Sequence, residues 1–500
     1  MLKGSFYLWR CIMPAGAKKV IYIIIDSFHP RALDHCLKKG KTPALSFLIE
    51  NGSLEQCISV FPTMTPVCTS TLATGAPPSA HGIPGIVWYH RGERRIIDNN
   101  SNWLSIFKRG LVQATLDFVY NLNHKQLGWE VRTIYEELEA NGYFTAAVNN
   151  LIYRGNTEYR AHIPLILKLL TLFELDDIKV YGQKGFCWGQ LYQPPGILRQ
   201  AVKGIEYWRK FGLNDHFSTR AAEWFLKQPR TPDLLTIYWP DTDDIAHDTN
   251  ADCCDPCLTA IDKKLAKILD CFPSWEKALE EYIFVIVGDH AQSTLIDGKK
   301  AYIKLPALLK DYSIARMGDE YIQDRDIAIC SNERMAYVYI LRHRLGMYRD
   351  IVECLLKDTN IDQVMWKEDQ WYHVVSHEGT LRFRKGGNLQ DSYQNLWELQ
   401  GEREILNIET AGEYIDYSHY PNALERIAQC LENPNAGELV ITAKPGYLLE
   451  GEGVPKKHGK GSHGSLQQED SMVPLIISGT SAKIEKPRLV DVVPFIKGCL

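Results

Sequence analysis

The sequence predicts an α/β protein built on a mostly parallel central sheet flanked by helices, with inserted cap segments. Three observations predict it. Short β-branched runs recur at 20–25, 143–148, 234–239, 282–287, 438–442 and 473–478. Stretches with apolar residues at helical spacing lie among them, including KTPALSFLIENG from Lys41 and IDKKLAKILDCF from Ile261. Three of the runs end in acids, and open α/β sheets bind their ligands at the carboxyl edge.

The first run, VIYIIIDS (Val20–Ser27), is too short for a helix of useful length. It reads as a strand buried on both faces, as in a parallel sheet, with Asp26 just past its end. Alone, Asp26 would serve equally well as a turn residue. The next motif is FPTMTPVCTSTLATGAPPSAHGIPG (Phe61–Gly85). Thr65-Pro66 reads as a helix start, with a hydroxyl at the cap and proline in the first helical position. Such an end is also a site for a phosphoryl or sulfuryl group.

LLTIYWPDTDDIAH (Leu234–His247) then ends in Asp241, Asp243 and Asp244, with His247 following. YIFVIVGDHAQS (Tyr282–Ser293) ends in Asp289 and His290. Carboxylates converging on one sheet edge repel each other, and something positive should sit among them. The neighbouring histidines suggest a metal. GSHG (Gly461–Gly464), before the run VPLIISG, adds His463.

Two long segments, 90–230 and 295–435, interrupt this rhythm and are rich in Trp, Tyr and Arg. They read as insertions forming cap regions over the working edge of a single catalytic domain, 18–500. The chain has 500 residues, 45% hydrophobic and 23% charged, as in a soluble globular protein. A net charge of −5 without a basic block leaves no nucleic-acid footprint.

The thirteen cysteines are scattered, which fits a reducing compartment. Cys253, Cys254 and Cys257 form the only tight cluster, a weak zinc or redox signal without a second pair. Residues 1–19 lack the apolar core of a signal peptide. The run Ile163–Leu175, broken by Lys168, is too short to span a bilayer and reads as a buried helix. A cytoplasmic protein without membrane contact is expected.

In this order, IIID, FPTMTP…TLATG…HGIPG, PDTDDIAH, VGDH and GSHGS before VPLIISG resemble the alkaline phosphatase superfamily, and within it the type I phosphodiesterase/nucleotide pyrophosphatase family. The resemblance spans about residues 18–480. It implies an alkaline-phosphatase-like fold and two divalent metals, zinc by the family's habit, with manganese compatible. One would be held by Asp26, Thr65, Asp289 and His290, the other by Asp243, His247 and His463. Asp241, Asp244 and His458 are the competing assignments.

The resemblance further implies that Thr65 attacks phosphorus and forms a phosphothreonine. The expected substrate is a small phosphorylated molecule, such as a nucleotide, cleaved at a phosphodiester or pyrophosphate bond. A phosphomonoesterase or phosphonate hydrolase is the alternative within the superfamily. A non-catalytic binding protein would be expected to have lost a ligand position.

One departure stands out. Relatives acting on nucleotides carry Asn three residues after the nucleophile, where this chain has Cys68, a poor donor. Residues 68–72 do not fit the Cys-x-Pro-x-Arg segment of sulfatases. Trp88 and Tyr89 could stack on an aromatic leaving group, and read more readily as core.

Overall fold

The protein is described by a computed structural model over residues 18–99, 111–162, 168–169, 174, 178–192, 209–249, 255–296, 298–344, 346–451 and 459–500. Cys253, Cys254 and His458, and nearly all of the Ile163–Leu175 run, lie outside these residues.

Seven strands form the central sheet: β1 (Lys19–Ile25), β2 (Gly52–Ile58), β3 (Thr145–Val148), β4 (Gly185–Cys187), β5 (Leu234–Trp239), β6 (Tyr282–Gly288) and β7 (Met472–Ser478). Their order is β2-β7-β6-β1-β5-β3-β4. Pairing is parallel from β6 to β4, and only β7 runs against the rest. β2 was not legible in the sequence because GSLEQCI is a polar, largely exposed edge strand.

Strand β1 shows why the central runs are continuous rather than alternating. Ile21, Ile23 and Ile25 face one apolar layer, with α1 (Pro30–Lys38), α2 (Pro43–Glu50), α5 (Asp215–Leu226) and α7 (Asp255–Leu269). Val20, Tyr22 and Ile24 face the other, with α3 (Thr65–Thr74), α4 (Ile134–Ala140) and α8 (Leu489–Cys499). Each fully buried isoleucine contributes about 1.5–3 kcal/mol of transfer free energy, so both faces demand apolar residues.

A second sheet of ten strands is largely antiparallel. All of them except Leu439–Ala443 lie within the 295–435 segment. Leu439–Ala443 corrects one expectation: the run 438–442 does not join the parallel sheet. It pairs antiparallel with Met335–Ile340 and Ile361–Glu368. A short, fully buried apolar run reads alike in either sheet, and only its partners decide. The 90–230 segment is not wholly an insertion either, since it supplies β3, β4, α4 and α5 to the central fold. Trp88 and Tyr89 are buried between the second sheet and Phe61, as core.

Candidate active site

Strand register brings the first acids together. Ile25 of β1 lies opposite Gly288 of β6, so Asp26 and Asp289 leave the sheet side by side. β5 ends level with both, and after Pro240 helix α6 (Asp241–Asp248) begins. Asp243 and His247, four residues apart, share one helix face, with His247 Nε2 3.4 Å from Asp243 Oδ2. His463 follows Gly461–Ser462, which pairs with Ser293–Thr294 just beyond His290. Gly461 is required here: a Cβ would lie 2.6 Å from the Ala246 carbonyl oxygen of α6.

Thr65 differs from the expectation in one respect. The cap residue of α3 is Met64, and no side chain caps this end. Thr65 is the first helical residue, and its hydroxyl is 3.1 Å from His290 Nε2. The extended backbone of Met64 starts the helix, which leaves the Thr65 hydroxyl to meet His290.

His290 Nε2 also lies 3.4 Å from Asp26 Oδ1 and 3.5 Å from Asp289 Oδ2. Both of those oxygens are buried without a hydrogen-bond partner. Each carboxylate's other oxygen is occupied. Tyr238 donates to Asp26 Oδ2, and the amides of Ser27 and His290 donate to Asp289 Oδ1 at 3.2 and 2.8 Å. Burial, then Asp289 and Asp243, pushes Asp26 well above the usual carboxylate range, and burial likewise raises Asp289. Burial alone would raise Asp243 as well, but His247, His463 and His290 outweigh it and hold this acid low.

The three imidazoles are aimed by their other nitrogens. Nδ1 meets a backbone carbonyl in each: Gly461 at 2.8 Å for His247, Thr63 at 2.7 Å for His463 and Ala291 at 3.2 Å for His290. A carbonyl only accepts, so Nδ1 carries the proton and Nε2 presents its lone pair. Ligating histidines are held in this way around metals. The orphaned carboxylate oxygens and the free Nε2 atoms therefore fit divalent cations. Among the described residues, three groups could hold an ion: Asp26, Asp289 and His290; Asp243, His290 and His463; and His247, Glu333 and His463.

Two of the competing assignments have other partners, and His458 lies outside the described residues. Asp244 pairs with Lys210, and Asp241 exchanges backbone-to-carboxylate hydrogen bonds with Asp215. Cys68 is fully buried, its sulfur 3.3 Å from Ser59 Oγ, and burial pushes its thiol well up. Of two arginines that could clamp the extra charge of a monoester, Arg154 is spent on Glu136 and the carbonyls of Leu127, Gly128 and Val131. Arg94 is exposed in a turn.

Four residues were not found from the sequence. Ser27 and Gln292 donate to Asp243 Oδ1 at 2.7 and 2.6 Å, and both sit within two residues of a motif acid or histidine. Tyr238 is one position from the end of β5. Glu333 had no local signal at all.

No curated protein matches the chain in sequence. Among solved structures, it is similar to phosphonoacetate hydrolase from Sinorhizobium meliloti 1021 in complex with phosphonoformate. That likeness has a TM-score of 0.59 at 15% identity and covers 97% of each chain. It is also similar to human ectonucleotide pyrophosphatase/phosphodiesterase 5, with a TM-score of 0.55 at 15% identity over 96% of this chain and 94% of that one. The murine counterpart, in an inactive threonine-to-alanine form in complex with AMP, gives 0.55 at 12% over the same shares. At these identities the likenesses show a shared fold. Residues 20–466 match the family described as type I phosphodiesterase / nucleotide pyrophosphatase, and the chain therefore belongs to that family of phosphoric ester hydrolases.

Proposed function

We propose that the protein hydrolyses phosphodiester or nucleotide pyrophosphate bonds through a phosphothreonine at Thr65. The observation that carries this is the Thr65 hydroxyl, free of any capping role, beside His290 and two orphaned carboxylate oxygens. Asp26, Thr65, Asp289 and His290 would hold one divalent cation, and Asp243, His247 and His463 a second. Bound there, zinc or manganese would supply Lewis acidity, lowering the pKa of a coordinated hydroxyl and offsetting negative charge on the transferring group.

The chain's own residues do the rest. Thr65 loses its proton to solvent, and Oγ1 forms a bond to phosphorus. The bond to the leaving oxygen breaks, and that oxygen departs with the electron pair and takes a proton from water. The N-terminus of α3 faces the transferring group and favours its charge. Water then adds to phosphorus, frees Thr65 and releases a phosphomonoester. The murine relative whose threonine-to-alanine form is named inactive supports a threonine in this role.

The test is kcat/KM for bis-p-nitrophenyl phosphate against p-nitrophenyl phosphate, under the same metal and pH. The diester should be preferred. A tenfold preference for the monoester, about 1.4 kcal/mol of transition-state stabilisation, would overturn the reading. The similarity to a phosphonoacetate hydrolase favours a second reading, phosphonate cleavage. Phosphonoacetate turned over faster than either ester would establish it.

We place the protein in the cytoplasm. The reading rests on the described cysteines, which are all free thiols. Alkylation of the denatured, unreduced chain isolated from its cell should label all thirteen cysteines. A protected pair would contradict a reducing compartment.

A further inference from the structure

Glu333 belongs to no motif of the sequence and to neither ligand set implied by the family resemblance. It stands at the corner between strands Ile327–Asn332 and Met335–Ile340 of the second sheet, with a left-handed φ of 59°. That conformation is unfavourable for a side chain with a Cβ. The corner is held on all sides. The Glu333 carbonyl accepts from Leu449 N–H at 2.8 Å, and Arg334 N–H donates to the His463 carbonyl at 3.0 Å. Asn332 Oδ1 accepts from Ile86 and Val87 N–H at 2.7 and 3.0 Å.

The carboxylate so placed faces two imidazoles already aimed by their Nδ1 atoms. Oε1 is 3.7 Å from His247 Nε2, and Oε2 is 3.8 Å from His463 Nε2. Asp243 is at matching range, 3.4 Å from His247 Nε2 and 3.8 Å from His463 Nε2. Ligands about 2.1 Å from a tetrahedral zinc lie about 3.4 Å from one another. Glu333 and Asp243 thus each lie within reach of an ion shared with both imidazoles.

We infer that Glu333 is a further ligand of the second cation position, making it a set of Asp243, His247, His463 and Glu333. This rests on the two-cation reading above. It also makes the second sheet part of the metal centre. The rival role is positioning: Ser462 Oγ and His463 N–H donate to Glu333 Oε2 at 2.7 and 3.4 Å, so the carboxylate could act only by steadying the His463 loop.

Two variants of the full chain separate these roles: Glu333→Gln, which keeps the shape, and Ser462→Ala, which removes the shorter of the two positioning bonds. Zn2+ and Mn2+ affinities are measured by competition with a chromophoric chelator, and the visible spectrum is recorded with Co2+. In Glu333→Gln, one ion should bind as in wild type while the affinity of the other falls by about tenfold or more. The Co2+ bands should change as well. Ser462→Ala should leave affinity within about threefold and the spectrum unchanged. Unchanged affinities in Glu333→Gln, or equal losses in both variants, would overturn the ligand role. A wild-type chain that takes up no cation would instead overturn the two-cation reading, and this inference with it.

Discussion

The central sheet and the second sheet reach the site by different routes. The parallel strands deliver their residues through register: β1, β5 and β6 end level, so whatever follows each strand meets its neighbours. Every residue placed by motif comes from this sheet or from the segments beside it. The antiparallel sheet sends a single hairpin corner, carrying Glu333, and anchors it with the buried Arg334–Asp470 pair at 2.6 Å. One sheet makes a site that is local to its strand ends. The other makes a contact that depends on docking across more than a hundred residues of sequence, from Glu333 to Ser462.

The largest effect should come from emptying the central sheet's site. Chelation should abolish turnover and lower the melting temperature, because a ligand held by the native state alone stabilises it. Purified protein should carry about two divalent ions per chain. Stoichiometry well below one, with activity indifferent to chelator, would break the picture of strand ends as ligands.

Thr65→Ala should reduce kcat by at least about a thousandfold, since no other group provides the covalent route. Its melting temperature should hardly move: Thr65 makes no cap bond, so the loss of about 1 kcal/mol typical of a removed cap does not apply. Near-full activity in this variant would show that the hydroxyl is not the nucleophile.

Arg334→Met probes the second sheet through stability rather than chemistry. It leaves Asp470 buried without its cation, which should cost about 3–5 kcal/mol. Denaturant unfolding measures this directly. A loss below about 1 kcal/mol, the scale of a surface pair, would mean that the hairpin is held mainly by its backbone contacts.

Acid tests the seam between the two regions. The Pro78–Gly82 turn docks on the second sheet's side through Asn433 and Asn435, which donate to the carbonyls of Pro78 and Gly82 at 2.8 Å each. Within this turn His81 is fully buried and accepts from Ile83 N–H at Nδ1, an acceptor that protonation would remove. Burial lowers its pKa from 6.5 to about 3. Between those values the unfolded chain binds a proton that the native state refuses, so stability falls as pH drops below 6.5 and is unaffected above it. At pH 5 the loss should be roughly 2 kcal/mol. Thermal melts of wild type and His81→Gln from pH 7 to 5 check the sign: the variant should lack this part of the slope.

Cys68→Ala should give the smallest change, about 1 kcal/mol of stability from the lost packing and activity within about twofold. A loss comparable to that of Thr65→Ala would identify Cys68 as the reactive group instead.

The sequence by itself determined the parallel core and the residues at its edge. Runs such as Val20–Ile25 are apolar on both faces because two helical layers cover them, and a carboxylate just past such a run has few places to be except the carboxyl edge. The choice of Asp243 over Asp241 and Asp244 came from the family resemblance, whose D-x-x-x-H pattern ends at His247. Tertiary structure alone decided the rest. Thr65 proved to be the first helical residue because Met64 takes the cap, a one-residue difference that propensity does not resolve. Leu439–Ala443 went to the antiparallel sheet because an apolar run carries no label for its partners. Glu333 is an ordinary glutamate in a turn until Arg334, Asp470 and the His463 loop fold around it. Its partners lie far along the chain, so no local pattern could announce it.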